Sequence, residues 1–142
     1  MKTTNNKSIF LLFSHKLTKP QIDELKRIGV NRYVYLDNDL QQIWSFVPTQ
    51  EVNLKEYLKP IFEFLVNNAK KGDYVLVQGD FGATYLTVDF CFEHNLIPIY
   101  AVSKRVAYEK IEDGEVIKVS RFKHEGFRKY MRWRDGFGGG AG

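Results

Sequence analysis

The chain has 142 residues, of which 44 % are hydrophobic, and a net charge of +4. This length allows one domain with a hydrophobic core, and the composition is that of a globular rather than a disordered protein. The single cysteine excludes an internal disulfide, and the longest apolar run near the start, residues 9–13, is too short for a signal peptide or a membrane span. We therefore expect a cytoplasmic protein.

The first elements in chain order are a strand, a helix and a second strand. Residues 8–13 form a continuous apolar run, which is typical of a strand buried on both faces. A helix should follow, with Thr18 as its N-cap, Gln21 completing a capping box and Pro20 in the first turn. Residues 32–36 then predict the second strand.

Two helical segments lie between the second and third predicted strands. Residues 37–47 predict a short helix that ends before Pro48, and apolar residues at helical spacing predict another over 54–65. Pro60 lies inside that second pattern, so we expect a kink or a break near it. The remaining elements of this half are a strand at 73–79, a helix at 84–93 and a strand at 97–101. Such alternation predicts an α/β fold with a mainly parallel sheet, helices on both faces and right-handed crossovers.

The pattern changes after residue 101. Residues 105–112 and 115–122 predict a β-hairpin with Asp113-Gly114 as its turn, and no helix separates it from the fourth strand. The last residues, 136–142, are glycine-rich and predict a disordered tail. We thus expect one domain over residues 1–135.

The net positive charge comes from the C-terminal part of the chain. Residues 1–100 contain 11 Lys/Arg and 11 Asp/Glu, whereas residues 101–142 contain 10 Lys/Arg and 6 Asp/Glu. Aromatic residues are interleaved with these charges, which favours an anionic partner such as a nucleic acid or a nucleotide. Arg105, Arg121 and Lys123 are the candidate phosphate ligands. A solvated face with long basic side chains is the alternative.

The candidate site lies where two loops should meet. In an open parallel sheet, ligands bind beyond the carboxyl ends of the strands at the point where strand order reverses. If the order is 2-1-3-4, residues 14–18 and 78–84 meet there. The loop glycines Gly79 and Gly82 permit close backbone approach to a ligand or serve turn geometry, and the helix N-terminus can attract a phosphate.

Several side chains in these loops carry alternative interpretations. Asp80 is either a helix N-cap or a group that holds a ribose hydroxyl or an adenine amino group. Thr84 caps the helix or donates to a phosphate. His15, with Ser14 and Lys16, directly follows the first strand and can stabilise or protonate a leaving oxygen, unless it is a structural histidine.

The other histidines are weaker candidates for the site. His94 should lie at the opposite edge of the sheet, and His124 reaches the site only if the end of the hairpin folds towards it. Three scattered histidines and one cysteine form no metal-ligand spacing, so we predict no metal.

Four stretches of the chain resemble a family of small CRISPR-associated proteins of type III systems. These stretches are "LFSHKLT", "LKEYLKPIFEFL", "DYVLVQGDFGATY" and "RFKHEGFRKY". The family consists of ring nucleases, which degrade the cyclic oligoadenylate second messenger. The resemblance implies a Rossmann-like fold related to cyclic-oligoadenylate-sensing domains, a homodimer and cyclic tetra-adenylate as the substrate.

The residues of the matching stretches and of the basic segment provide the predicted site. The predicted catalytic residues are Ser14, His15 and Asp80. The predicted substrate-binding residues are Lys16, Gln78, Gly79, Phe81, Gly82, Thr84, Arg105, Arg121 and Lys123. Cleavage without a metal or other cofactor can use the ribose 2′-OH as the nucleophile and leaves a 2′,3′-cyclic phosphate.

Two further functions stay open at this point. The first is a module that binds or sequesters a cyclic nucleotide without cleaving it, because no obvious acid–base pair is visible in the sequence. The second is a single-stranded RNA-binding domain that uses the basic aromatic segment. Neither a membrane nor duplex DNA is an expected partner.

Overall fold

A computed structural model describes residues 6–50 and 52–135 of the chain. The expected glycine-rich tail, residues 136–142, lies outside these residues. The elements are β1 (Lys7–Leu12), α1 (Lys19–Arg27), β2 (Val30–Tyr35), α2 (Asn38–Ser45), α3 (Leu54–Tyr57), α4 (Lys59–Asn68), β3 (Tyr74–Val77), α5 (Phe81–Glu93), β4 (Ile97–Glu112) and β5 (Glu115–Lys129). Within the described ranges, no helix is long and apolar enough to cross a membrane.

The strands form one sheet in the order β2-β1-β3-β4-β5. The first four strands are parallel, and β5 pairs antiparallel with β4 at the edge of the sheet. The five-stranded order differs from the expected four strands with an appended hairpin. The physical reason is that no glycine or proline interrupts the chain between Ile99 and Asp113, so β4 runs on through the first arm of the hairpin.

The hairpin turn itself is confirmed. Asp113 and Gly114 have φ values of 52° and 78°, and Glu112 pairs with Glu115 across the turn. Two successive residues with positive φ are the requirement of a tight hairpin turn that matches the twist of its strands. The local sequence therefore determines where the chain reverses.

Strand β1 is buried on both faces, as its apolar run predicts. Ile9 and Leu11 belong to a core with Leu25 of α1, whereas Phe10 and Leu12 belong to a second core with Trp44 of α2. Side chains alternate between the faces of a strand, so one apolar run supplies both cores. Helices α4 and α5 also pack into the second core, which places helices on both faces of the sheet.

The helix boundaries follow from local signals. Thr18 and Gln21 form both hydrogen bonds of the predicted capping box at the start of α1. The helical pattern breaks at Leu58, which ends α3 and precedes α4, so the predicted break near Pro60 is confirmed. Helix α5 begins at Phe81, three residues earlier than expected, because Asp80 caps its N-terminus.

Candidate functional site

A groove of about 1090 Å³ lies beyond the carboxyl ends of β1 and β3. Its walls come from the β1–α1 loop, the start of α1, the end of β3 and the outer parts of β4 and β5. The lining residues are Phe13, His15, Lys16, Thr18, Pro20, Gln21, Gln78, Ala101, Ser103, Val106, Arg121, Phe122, Lys123 and His124. We call this cavity the basic groove. The structure thus brings His15 and Lys16 into one cavity with Gln78, at the edge where strand order reverses.

The lining of the basic groove has one sign of charge. Lys16, Arg121 and Lys123 are cationic, His15 and His124 can become so, and none of the lining residues is Asp or Glu. A cleft with charges of one sign attracts ligands of the opposite sign. The chemistry of this cavity therefore suits a ligand with phosphate groups.

Trp44 fixes the backbone that follows β3. Its indole Nε1 donates to the carbonyl oxygen of Gln78 at 3.0 Å, and the side-chain oxygen of Gln78 accepts from the Ala101 N–H at 2.6 Å. A Cβ at position 79 would lie 2.9 Å from the Trp44 Nε1, and Gly79 does not have a positive φ. Gly79 is therefore needed for the close approach of Trp44, rather than for a special turn conformation.

Asp80 begins helix α5. Its Oδ2 accepts from the Ala83 N–H at 3.0 Å. Asp80 is therefore the N-cap of the helix, which is one of the two roles that the sequence allowed. At Gly82, an added Cβ would lie 3.0 Å from the Leu54 Cδ1, so this glycine also permits close packing. Neither Asp80 nor Gly82 lines the basic groove.

Phe81 and Thr84 line a different cavity. This second groove, of about 690 Å³, runs along α5 beside residues 130–134. We call it the α5 groove. The Oγ1 of Thr84 is buried there without a hydrogen-bond partner. Of segment 78–84, only Gln78 therefore shares a cavity with His15. The turn into α5 places Phe81 and Thr84 in the α5 groove instead.

Ser14 is held on the side of α2. Its Oγ lies 2.9 Å from the Ser45 Oγ, and Gln41 donates both to that hydroxyl and to the carbonyl oxygen of Phe13. Ser14 is absent from the lining of the basic groove although its neighbour His15 is present. Ser14 and His15 are neighbours in the sequence, but their side chains point in different directions. Proximity in the sequence therefore did not predict that only His15 lines the groove.

The three candidate phosphate ligands of the hairpin differ in position. Arg121 and Lys123 line the basic groove, and the Arg121 guanidinium lies 5.6 Å from the centre of the Tyr108 ring. Arg105 does not line the groove, and its guanidinium donates to the Ser120 Oγ at 3.0 and 3.2 Å. Arg105 is therefore the member of the predicted set that the structure does not bring to the site.

His124 is the site residue that sequence reasoning left conditional. It lines the basic groove, and its Nε2 lies 2.7 Å from the Glu24 Oε1 of α1. The other oxygen of Glu24 accepts from the Phe127 N–H at 2.9 Å. A shift in the β4–β5 register leaves Glu125 without an opposite residue, next to Gly126 with φ 158°. A glycine inside a strand indicates such a bulge, so Gly126 was the feature of the sequence that could have revealed the bulge beside His124.

The remaining histidine lies away from this site. His94 ends α5, its ring stacks on Phe90 with centroids 4.0 Å apart, and its Nδ1 lies 3.0 Å from the Phe90 carbonyl oxygen. His94 precedes the start of β4, at the edge of the sheet opposite the basic groove, as expected. Among the described residues, no group of three or more His, Cys, Asp or Glu side chains could hold a metal ion.

Comparison with known proteins identifies the family of the chain. Residues 7–128 match the family model described as "Uncharacterized protein MJ1673 family". The chain is 52 % identical over 123 residues to the protein "Uncharacterized protein MJ1673" of Methanocaldococcus jannaschii, a match that covers 86 % of this chain and 95 % of that protein. No solved structure matches the chain significantly. The family match and the relative together show that the chain belongs to the MJ1673 family.

Proposed function

We propose that this protein is a ring nuclease that binds cyclic tetra-adenylate in the basic groove and cleaves it without a metal. The observation that carries the proposal is the convergence of His15, Lys16, Arg121 and Lys123 on one groove that has no carboxylate in its lining. The resemblance of four sequence stretches to the ring nucleases of type III CRISPR systems supplies the substrate. In this role the enzyme would switch off the signal that the cyclic oligoadenylate carries, as part of antiviral defence.

The size and position of the groove support a ligand larger than a single nucleotide. Sites for small molecules usually have volumes of about 300–1,000 Å³. The basic groove, at about 1090 Å³, slightly exceeds this range. Its place at the reversal point of a parallel sheet agrees with the implied Rossmann-like fold.

The proposed reaction needs alignment and charge stabilisation from the protein. A ribose 2′-OH attacks the adjacent phosphorus, the bond to the 5′ oxygen breaks, and a 2′,3′-cyclic phosphate forms. Lys16, Arg121 and Lys123 would stabilise the negative charge that develops on the phosphate oxygens. His15 would donate a proton to the leaving 5′ oxygen.

We extend the proposal to a homodimer. A ring of four identical nucleotides has two-fold symmetry, so two copies of the protein can present identical grooves to it. Large apolar side chains are exposed along the α5 groove, among them Phe81 at 93 % and Tyr85 at 74 %. An exposed apolar surface of this kind favours association with another protein surface. Light scattering of the purified protein, with and without the ring, measures the mass directly.

The test of the proposal is a nuclease assay. The protein is incubated with an excess of cyclic tetra-adenylate in EDTA, and products are separated by chromatography over many turnovers. We expect linear products that end in a 2′,3′-cyclic phosphate. His15→Ala should slow single-turnover cleavage by about 10²–10⁴-fold while it retains binding. His94→Ala, the matched control, should cleave at the wild-type rate.

The same assay, combined with binding titrations of the ring and of linear RNA, separates the alternatives. Tight binding of an intact ring would indicate a sequestering module. Binding that strengthens with the length of linear RNA and weakens steeply with salt would indicate an RNA-binding domain. Activity that EDTA abolishes and a divalent ion restores would contradict the metal-free mechanism.

A further inference from the structure

We propose that His124 is the general base of the basic groove and that Glu24 is the residue that positions it. This inference rests on the proposed ring nuclease function and adds the group that activates the 2′-OH. The sequence offers no acid–base pair, because the two histidines of the groove are more than a hundred positions apart. The fold brings His15 and His124 into the lining of one cavity.

The first supporting observation is an unpaired nitrogen. The side chain of His124 is only 9 % exposed, and its Nδ1 is buried without a hydrogen-bond partner in the protein. Buried polar atoms in folded proteins nearly always have a partner, so an orphan at a groove requires a reason. Because this nitrogen has almost no exposed surface, the ring must turn slightly towards the groove before a ligand hydroxyl can supply the missing partner.

The second observation is the carboxylate on the other side of the ring. Glu24 Oε1 lies 2.7 Å from the Nε2 of His124, while its Oε2 accepts from the Phe127 N–H. A carboxylate only accepts hydrogen bonds, so in the neutral imidazole the proton is on Nε2 and the lone pair is on Nδ1. Enzymes commonly activate a nucleophile with a base that a further side chain orients. Here the nucleophile would be the 2′-OH, the base His124 and the orienting side chain Glu24.

In the proposed step, His124 accepts one proton and His15 donates another. The lone pair on Nδ1 of His124 takes the proton from the ribose 2′-OH, and the 2′ oxygen forms a bond to phosphorus. The bond between phosphorus and the 5′ oxygen breaks, and its electron pair stays on that oxygen. His15 returns a proton to the 5′ oxygen. The products are a 2′,3′-cyclic phosphate and a 5′-hydroxyl, and no oxidant, reductant or other co-reactant is needed.

The charged groups around His124 agree with this role. Glu24 faces it from α1 and stabilises the imidazolium that forms after proton transfer. From β5, the neighbouring Lys123 and the nearby Arg121 line the same groove, and from the β1–α1 loop so do His15 and Lys16.

The discriminating variant is His124→Gln. The amide N–H₂ of glutamine can reach the place of Nε2 and still donate to Glu24, but glutamine has no nitrogen at the place of Nδ1. We expect a 10²–10⁴-fold slower single-turnover cleavage of cyclic tetra-adenylate, with ring affinity and melting temperature near those of the wild type. The wild-type pH–rate profile should be bell-shaped, because His124 must be unprotonated and His15 protonated, and the variant should lose the rising limb.

Glu24→Gln tests the positioning role separately. The amide oxygen can still accept from Phe127, but the amide N–H₂ now faces Nε2 and favours the imidazole with its proton on Nδ1. We expect slower cleavage together with a change of the His124 tautomer in ¹⁵N NMR spectra. Glu125→Gln, an exposed neighbour with the same loss of charge, is the matched control and should change neither.

The outcomes separate this inference from the proposed function. Wild-type cleavage with undiminished cleavage by His124→Gln would overturn the base role alone. A rate loss in His124→Gln that is matched by an equal loss of ring binding or of thermal stability would also overturn it, because His124 would then be a structural contact between α1 and β5. Failure of the wild type to cleave any adenylate ring would overturn the proposed function, and the base role with it.

Discussion

The Trp44 indole donates to the carbonyl oxygen of Gln78 over 3.0 Å, and the same ring fills the space where residue 79 would carry a side chain. Trp44 is 1 % exposed and belongs to the core beneath α2 and α4. The contact therefore connects the core to the loop that presents Gln78 to the basic groove. It explains why the chain has a glycine directly after the residue that lines the site.

The first prediction concerns this contact. Gly79→Ala should lower the free energy of unfolding by about 1–3 kcal/mol, because the new Cβ would lie 2.9–3.1 Å from three atoms of the Trp44 ring. Gly82→Ala is the matched control, since its Cβ would meet the end of the flexible Leu54 side chain and α5 would gain a better helix former. Urea unfolding measures both. Equal stability of the two variants would show that Trp44 can move away.

The second prediction concerns Asp80. Asp80→Ala should cost about 0.5–2 kcal/mol of stability, because the Ala83 N–H loses its partner at the start of α5. Asp80→Asn should retain most of it, since asparagine also caps helices. Because Asp80 lies outside the lining of the basic groove, neither variant should change ring affinity. Weaker ring binding by a folded Asp80→Asn protein would restore the ligand-binding interpretation of this residue.

The third prediction separates two arginines of the hairpin. Arg121→Gln should weaken the binding of cyclic tetra-adenylate and reduce its salt dependence, because Arg121 lines the basic groove. Arg105→Gln removes the same charge, but the Arg105 guanidinium is occupied by the Ser120 Oγ away from the groove. Titrations at several salt concentrations compare the two. Equal losses would mean that only the net charge of the hairpin matters.

Local features of the fold were predictable from the sequence. The Thr18 capping box, the break near Pro60 and the Asp113-Gly114 turn each depend on a few neighbouring residues. Their hydrogen bonds or dihedral restrictions act over at most four positions, so sequence patterns report them directly. The apolar run of β1 likewise predicts burial on both faces, which the two cores confirm.

Features that depend on distant partners were not predictable. Glu24 and His124 are 100 positions apart, and nothing near either residue indicates the other. The side chains after β3 divide between two grooves because Asp80 starts α5 early and turns Phe81 and Thr84 away from Gln78. In the sequence, Arg105 and Arg121 are equivalent candidates for phosphate binding. Only the strand pairing and the contact between Arg105 and Ser120 distinguish them.

The last prediction concerns stability at alkaline pH. Burial raises the pKa of the Cys91 thiol from 9.0 to about 12, because the core around α5 disfavours the thiolate. In the unfolded chain the thiol ionises near its ordinary value, so the unfolded state loses its proton first as pH rises. The stabilising contribution is complete below pH 9 and decreases between pH 9 and about 12, by up to about 1.4 kcal/mol per pH unit.

Cys91→Ala isolates this contribution, because the chain has a single cysteine. The variant should be less stable than the wild type at pH 8, since it loses buried volume, but its stability should fall less steeply from pH 9 to 11. Urea unfolding at each pH measures the two slopes. In the native wild type, a thiol reagent should react with Cys91 only at the rate of opening, because the side chain is fully buried. Parallel slopes for the two proteins, or rapid labelling of the native thiol, would contradict the buried neutral thiol.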